Sequence, residues 1–200
     1  MKISFIRYGP LDAANEAITA TQFQQWLETY NDSNIKQTTY VPERTMQVIR
    51  NAKLVVSSDS KQTIQSAVKL TDSFSFIQSP LFREALIPSQ LPAPKWFKCK
   101  RRAWITFGRT LWIMGHAKGV ESYDEVKIRA KQAADTLIGY AMVFQHIVLV
   151  GHSYFNLLIG LELRARGWSG PPIFQAKPWG CTVYTFHKAI EGDMLKATFT

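Results

Sequence analysis

The sequence predicts an α/β fold in three layers, a mostly parallel central sheet flanked by helices. Two observations predict it. Apolar runs rich in β-branched residues recur at 3–6, 54–56 and 147–150, and each is followed by a polar turn and then by a segment of helical period. Strands separated by helices in this way pair in parallel, because a parallel partner needs a long crossover.

Taken in order, the opening MKISFIRYGP has one lysine and a four-residue run before Arg7. That is too little for a secretory signal and reads as the first strand. Residues 21–30 place Phe23, Trp26, Leu27 and Tyr30 on one helical face. Pro42 suits the start of a helix reaching Arg50, since its fixed φ fits and the N–H it lacks would have no helical partner there. A third helix covers 60–70. Ser122 and Glu125 form a capping box ahead of a helix through about Met142, and residues 155–166 make another, closed by Gly167. Alternation over 181–187 reads as a late strand, with 195–199 as its short antiparallel neighbour.

With 200 residues, 46% of them hydrophobic, the chain can bury a substantial core, and no linker or repeat divides it. A single domain over 1–200 is expected. The run 104–114 is interrupted by Arg109 and falls short of a bilayer span, so no transmembrane segment is expected. Cys99 and Cys181 offer neither metal spacing nor a disulfide framework, which points to a reducing cytoplasm. The histidines 116, 146, 152 and 187 show no ligand-pair spacing, and no metal is expected.

A formal charge of +9 favours anionic partners. The densest basic run, 95–102, is interleaved with Trp96 and Phe97 and followed by Trp104. That pattern suits an anionic surface, a ligand pocket or a solvated loop with its aromatics turned inward. It is no strong nucleic-acid signal.

Ligands of open α/β sheets collect beyond the carboxyl ends of the strands. The residues there are Arg7-Tyr8-Gly9, Ser57-Ser58-Asp59 and Gly151-His152-Ser153. An arginine, paired serines and a histidine beside backbone N–H groups suit an anion such as phosphate. Singly, each has a plainer reading as a helix cap, a surface ion pair or a buried histidine; their shared position favours the site.

These segments resemble the histidine phosphatase (phosphoglycerate mutase-like) family. Phe5-Ile6-Arg7-Tyr8-Gly9 is similar to the family's first strand ending in Arg-His-Gly, and Val148-Leu149-Val150-Gly151-His152 to the strand before its second histidine. Val56-Ser57-Ser58 with Ser66-Ala67, Leu81-Phe82-Arg83-Glu84, Glu121-Ser122-Tyr123 with Arg129, and residues 179–183 match in the same order. The resemblance implies a phosphoglycerate mutase-like fold in which a histidine accepts the phosphoryl group, two arginines and a second histidine hold it, and an acid protonates the leaving oxygen. Arg7 matches the first arginine, His152 the second histidine and Glu84 the acid, with Ser58 and Gln62 beside the anion. No cofactor is implied.

Two positions depart from the pattern. Tyr8 stands at the nucleophile and Gln62 at the second arginine. A phenol must lose a proton with a pKa of about 10 before it attacks, whereas a neutral imidazole has its lone pair ready. Gln62 removes a charge and a bidentate fork. Ordinary phosphohistidine turnover is therefore expected to be lost. The sequence reading is a degenerate phosphatase-like protein, a pseudoenzyme that binds a phosphorylated or other anionic ligand or a protein partner. The alternative is an active phosphomonoesterase with another nucleophile: His152, Tyr8 ionised by Arg7, or His116. Lys61, beside Gln62, is a doubtful substitute for the lost charge, because adjacent helical residues diverge by about 100°.

Gly151-His152-Ser153-Tyr154-Phe155 also imitates the nucleophile elbow of α/β-hydrolases, with Ser153 as nucleophile and Glu162 and His187 as partners, but Phe155 replaces the last glycine. A segment at about 85–119 is expected to form a lid over the strand ends. Trp96, Phe97, Trp104 and Trp112 would supply its apolar walls and Arg109 a charge. Phe107, Leu111 and Met114, at helical spacing, are alternatively the side chains that pack this segment on the domain.

Overall fold

In the computed structural model, residues 1–11, 16–72 and 75–187 are described. Four strands lie in parallel: β1 (Lys2–Arg7), β3 (Leu54–Ser57), β4 (Ile77–Gln78) and β6 (His146–Gly151). An antiparallel edge strand, β7 (Cys181–Thr185), completes a sheet of order β4-β3-β6-β1-β7. The predicted strand over 181–187 thus ends two residues early. The neighbour expected at 195–199 lies outside the described residues.

Alternating side chains feed two layers of helices. On one face Ile3, Phe5, Ile147 and Leu149 pack against α5 (Tyr123–Phe144) and α6 (Ser153–Ala165). On the other, Ile6, Val148 and Val150 meet Ile49 of α2 (Glu43–Arg50) and Ala67 and Leu70 of α3 (Lys61–Thr71). Strands buried on both faces read as continuous apolar runs, which is why β1 and β6 were legible. The layered α/β prediction holds.

Local signals set the helix ends. Ser122 and Glu125 form the expected capping box of α5, and Gly167, at φ +83°, follows α6 in a left-handed conformation that suits glycine. α1 (Ala20–Asn31) begins with a second capping box, Thr19 with Gln22. Pro42 sits one position earlier than predicted, as the cap of α2.

The segment at 85–119 builds a cap. Its strand β5 (Lys98–Lys100) pairs antiparallel with β2 (Ala17–Thr19), and α4 (Arg101–Ile113) follows directly. Trp104, Gly108 and Trp112 are the buried face of α4. The packing face suggested by Phe107, Leu111 and Met114 is corrected: only Leu111 joins the cap's small core, while Phe107 and Met114 are exposed. Two indoles anchor the helix instead, because each has a polar handle to satisfy. Trp104 Nε1 donates to the Ile18 carbonyl at 2.8 Å and Trp112 Nε1 to that of Glu121 at 2.7 Å. Among the described residues no helix is long and apolar enough to cross a membrane.

Candidate functional site

β3, β6 and β1 are adjacent and parallel, with Arg7 paired to Gly151 and Ser57 to Val150. Their ends therefore bring Arg7, Tyr8, Ser58 and His152 together. A cavity of about 850 Å³ opens there, lined among others by Arg7, Tyr8, Tyr30, Ser60, Gln62, Arg83, Glu84, Arg109, His152 and Tyr154.

Tyr8 is only 6% exposed. Its hydroxyl lies 3.0 Å from that of Tyr30 and accepts from Arg7 Nη2 at 3.5 Å. Burial pushes the phenol far above its ordinary value, with the neighbouring Tyr30 adding to the rise and Arg7 opposing it too weakly. That shift opposes ionisation of Tyr8 near neutral pH. The Arg7 guanidinium lies 5.0 Å from the Tyr8 ring centre and bonds to the Ala176 carbonyl, leaving its Nε buried without a partner.

Gln62 lines the same wall and donates from Nε2 to the backbone carbonyl of Tyr30 at 2.9 Å. Tyr8 and Gln62 thus meet at one residue, since Gln62 holds the end of α1 whose Tyr30 covers Tyr8. Lys61, beside Gln62, is outside the cavity lining and reaches Asp32 at 3.8 Å.

His152 caps α6. Its Nε2 lies 3.1 Å from Ser60 Oγ and 3.3 Å from Ser58 Oγ. Burial lowers the imidazole's pKa, with Glu84 opposing, so the ring is neutral near pH 7. Ser58 is buried behind His152 and accepts from the Ser60 amide at 3.2 Å; Ser60 lines the cavity, as does Ser153, while Ser58 does not.

Glu84 faces the start of α6. Its Oε1 accepts from the amides of Phe155 at 2.9 Å and Ala85 at 3.0 Å, and Oε2 from Tyr154 at 3.4 Å. The carboxylate satisfies N–H groups that the first helical turn leaves unpaired and meets the positive end of the helix dipole. Arg129 positions it. That guanidinium forks onto Glu121 at 2.9 and 2.7 Å and donates to the carbonyls of Leu81 and Arg83 at 3.1 and 2.8 Å. Arg83, at the rim, forks onto Asp59 at 2.7 and 2.5 Å, and that bond lowers the Asp59 pKa.

Of the predicted lid residues, Arg109 reaches the cavity and the tryptophans do not. Arg109 donates to the Ala85 carbonyl at 2.7 Å and lies 4.0 Å from the Tyr154 ring and 4.8 Å from that of Trp112. Trp104 and Trp112 are consumed as core, and Trp96 is 79% exposed outside. The apolar wall comes from Leu86, Ile87, Ile105 and Tyr154. His116 also lies elsewhere, its Nε2 3.3 Å from the Gln90 carbonyl. Ser153 gains no triad. Glu162 is bonded to Arg166 at 2.6 Å, and His187 follows the end of β7 that pairs with Lys2, at the opposite end of the sheet.

Tyr30 and Ser60 are the site residues that sequence reasoning missed. Tyr30 was legible only as part of an apolar helical face and Ser60 only as a helix start. Neither signal says which strand end the helix meets.

No protein-family model matches the chain, and no curated protein matches it in sequence. Solved structures do match. Mycobacterial hydrolase 1 superposes with a TM-score of 0.62 at 18% identity, covering 95% of this chain and 91% of that one. A mycobacterial glucosyl-3-phosphoglycerate phosphatase in complex with VO3 gives 0.58 at 15%, covering 94% and 92%. A phosphoserine phosphatase mutant from Entamoeba histolytica in complex with phosphoserine gives 0.56 at 14%, covering 93% and 91%. At these identities the likeness establishes the fold alone, a phosphoglycerate mutase-like α/β architecture.

Proposed function

We propose that this chain is a histidine phosphatase-like protein that binds a phosphate-like or other small anionic ligand in its strand-end cavity without phosphohistidine turnover. One observation carries the reading: a buried phenol hydrogen-bonded to Tyr30 ends the first strand, where the family that the sequence resembles keeps its nucleophilic histidine. Arg7, His152 and Arg109 keep the cavity polar and cationic enough for an anion. The VO3 and phosphoserine complexes of its structural neighbours support the same ligand chemistry. The partly buried thiols of Cys99 and Cys181, both free, support a reducing cytoplasmic setting.

The test is hydrolysis of an aryl phosphate from acid to mildly alkaline pH by the natural protein, by Tyr8→His and by Tyr8→His with Gln62→Arg. The natural protein is expected to be inert and the double variant to gain activity. Turnover by the natural protein would overturn the reading.

A second reading has a specific observation behind it. Ser60 Oγ faces the cavity 3.1 Å from the neutral His152, the geometry of a nucleophile beside its base. In that phosphatase Ser60 Oγ bonds to phosphorus while His152 takes its proton and passes it to the leaving oxygen. Water, deprotonated by His152, then cleaves the phosphoserine and the proton returns to Ser60. Activity of the natural protein that survives Tyr8→Phe and vanishes in Ser60→Ala would establish it.

A further inference from the structure

The cap carries charge and apolar surface that the cavity does not use. Between residues 85 and 120 stand seven lysines and arginines, of which Arg109 alone lines the cavity, and no aspartate or glutamate, which leaves the rest of the chain a surplus of only two positive charges. Five of the seven fall within 95–102. In β5, Cys99 packs inward on the cap core, so Lys98 and Lys100, on alternate positions, face outward. Lys95 is exposed on the turn before them.

Aromatic rings lie among these lysines as one patch. Trp96 is 6.3 Å from Phe97, Phe97 is 5.7 Å from the buried Trp104, and Trp104 is 6.1 Å from Phe107. Trp96 is 79%, Phe97 42% and Phe107 39% exposed. Seven residues on, Met114, which caps the C-terminal end of α4, is also exposed.

We propose that this face of the cap docks on the anionic surface of a lipid bilayer, Trp96, Phe97 and Phe107 entering the headgroup region while Lys95, Lys98 and Lys100 meet acidic headgroups. Aromatic rings ringed by lysines are the composition of an interfacial anchor, and each near-surface basic residue adds electrostatic attraction. Nucleic acid would match the charge and stack on the rings, but it has no apolar medium for Met114 and the adjacent Ile113.

The experiment is cosedimentation of the full chain with phosphatidylcholine vesicles, with and without roughly a third phosphatidylserine. The expected result is binding to the acidic vesicles alone, weakening as salt rises. Lys95→Glu with Lys98→Glu and Lys100→Glu should lower affinity at least about tenfold, and Trp96→Ala several-fold, with thermal unfolding unchanged because these side chains are exposed. Should the triple variant misfold, Trp96→Ala and the salt titration decide alone. No binding to acidic vesicles at low salt, equal binding to neutral ones, no effect of the variants, or tighter binding to an oligonucleotide than to vesicles would overturn the proposal.

Discussion

At residue 8 a phenol occupies the end of the first strand, and its chemistry depends on its neighbours. Burial and Tyr30 raise its pKa against the weaker opposing effect of Arg7, which disfavours a phenolate near neutral pH. At residue 152 burial acts on a base and lowers its pKa. In acid the unfolded chain therefore takes up a proton that the folded chain resists. His152 contributes fully to stability above about pH 6.5, and that contribution is lost as the pH falls toward the depressed folded value. The partly buried His146 is shifted the same way, chiefly by burial, and adds to the slope. Thermal unfolding is expected to fall from about pH 7 to about pH 5, with a shallower fall in His152→Asn; an unaltered slope would place the effect elsewhere. Arg7, Glu84 and His152 were legible as site residues because they directly follow strands or a recognisable segment. Tyr30 was not, because a tyrosine at helical spacing looks the same whether it packs on a core or covers a cavity.

Among the elements, two helices show how similar sequence signals diverge once packed. Gly160 lies inside α6, where an added Cβ would stand 2.2 Å from the Tyr184 hydroxyl. That ring is buried and its hydroxyl donates to the Pro171 carbonyl, so it has little room to retreat. Gly160→Ala is expected to destabilise by about 1–3 kcal/mol in denaturant unfolding. Gly108 lies inside α4, but its Cβ would meet Ile87 and Leu91 at 3.4 Å, ordinary contact. Gly108→Ala is expected to stabilise by about 0.5–1 kcal/mol through helix propensity. Helix periodicity located both elements, yet it gives the opposite signs no basis. The cap shows the same limit, since several faces of α4 are apolar and only the satisfied indole N–H groups reveal which one is buried.

For the whole molecule, an anion bound by the folded chain and not by the unfolded one raises stability by mass action. Phosphate is expected to raise the unfolding temperature of the natural protein above that in chloride of equal ionic strength, approaching about 2.7 kcal/mol at a hundredfold excess over Kd. Arg7→Ala should erase that difference, and a rise that persists in the variant would place the anion elsewhere. By itself the sequence determined the layered α/β fold and the strand ends where the chemistry gathers, because strand burial and helix capping are written in patterns a few residues long. Only the tertiary structure decided that Tyr8 meets Tyr30, that Gln62 holds that contact and that the cap turns Trp104 inward. Those outcomes depend on which surfaces meet across 22 to 86 residues of chain, and local periodicity does not encode them.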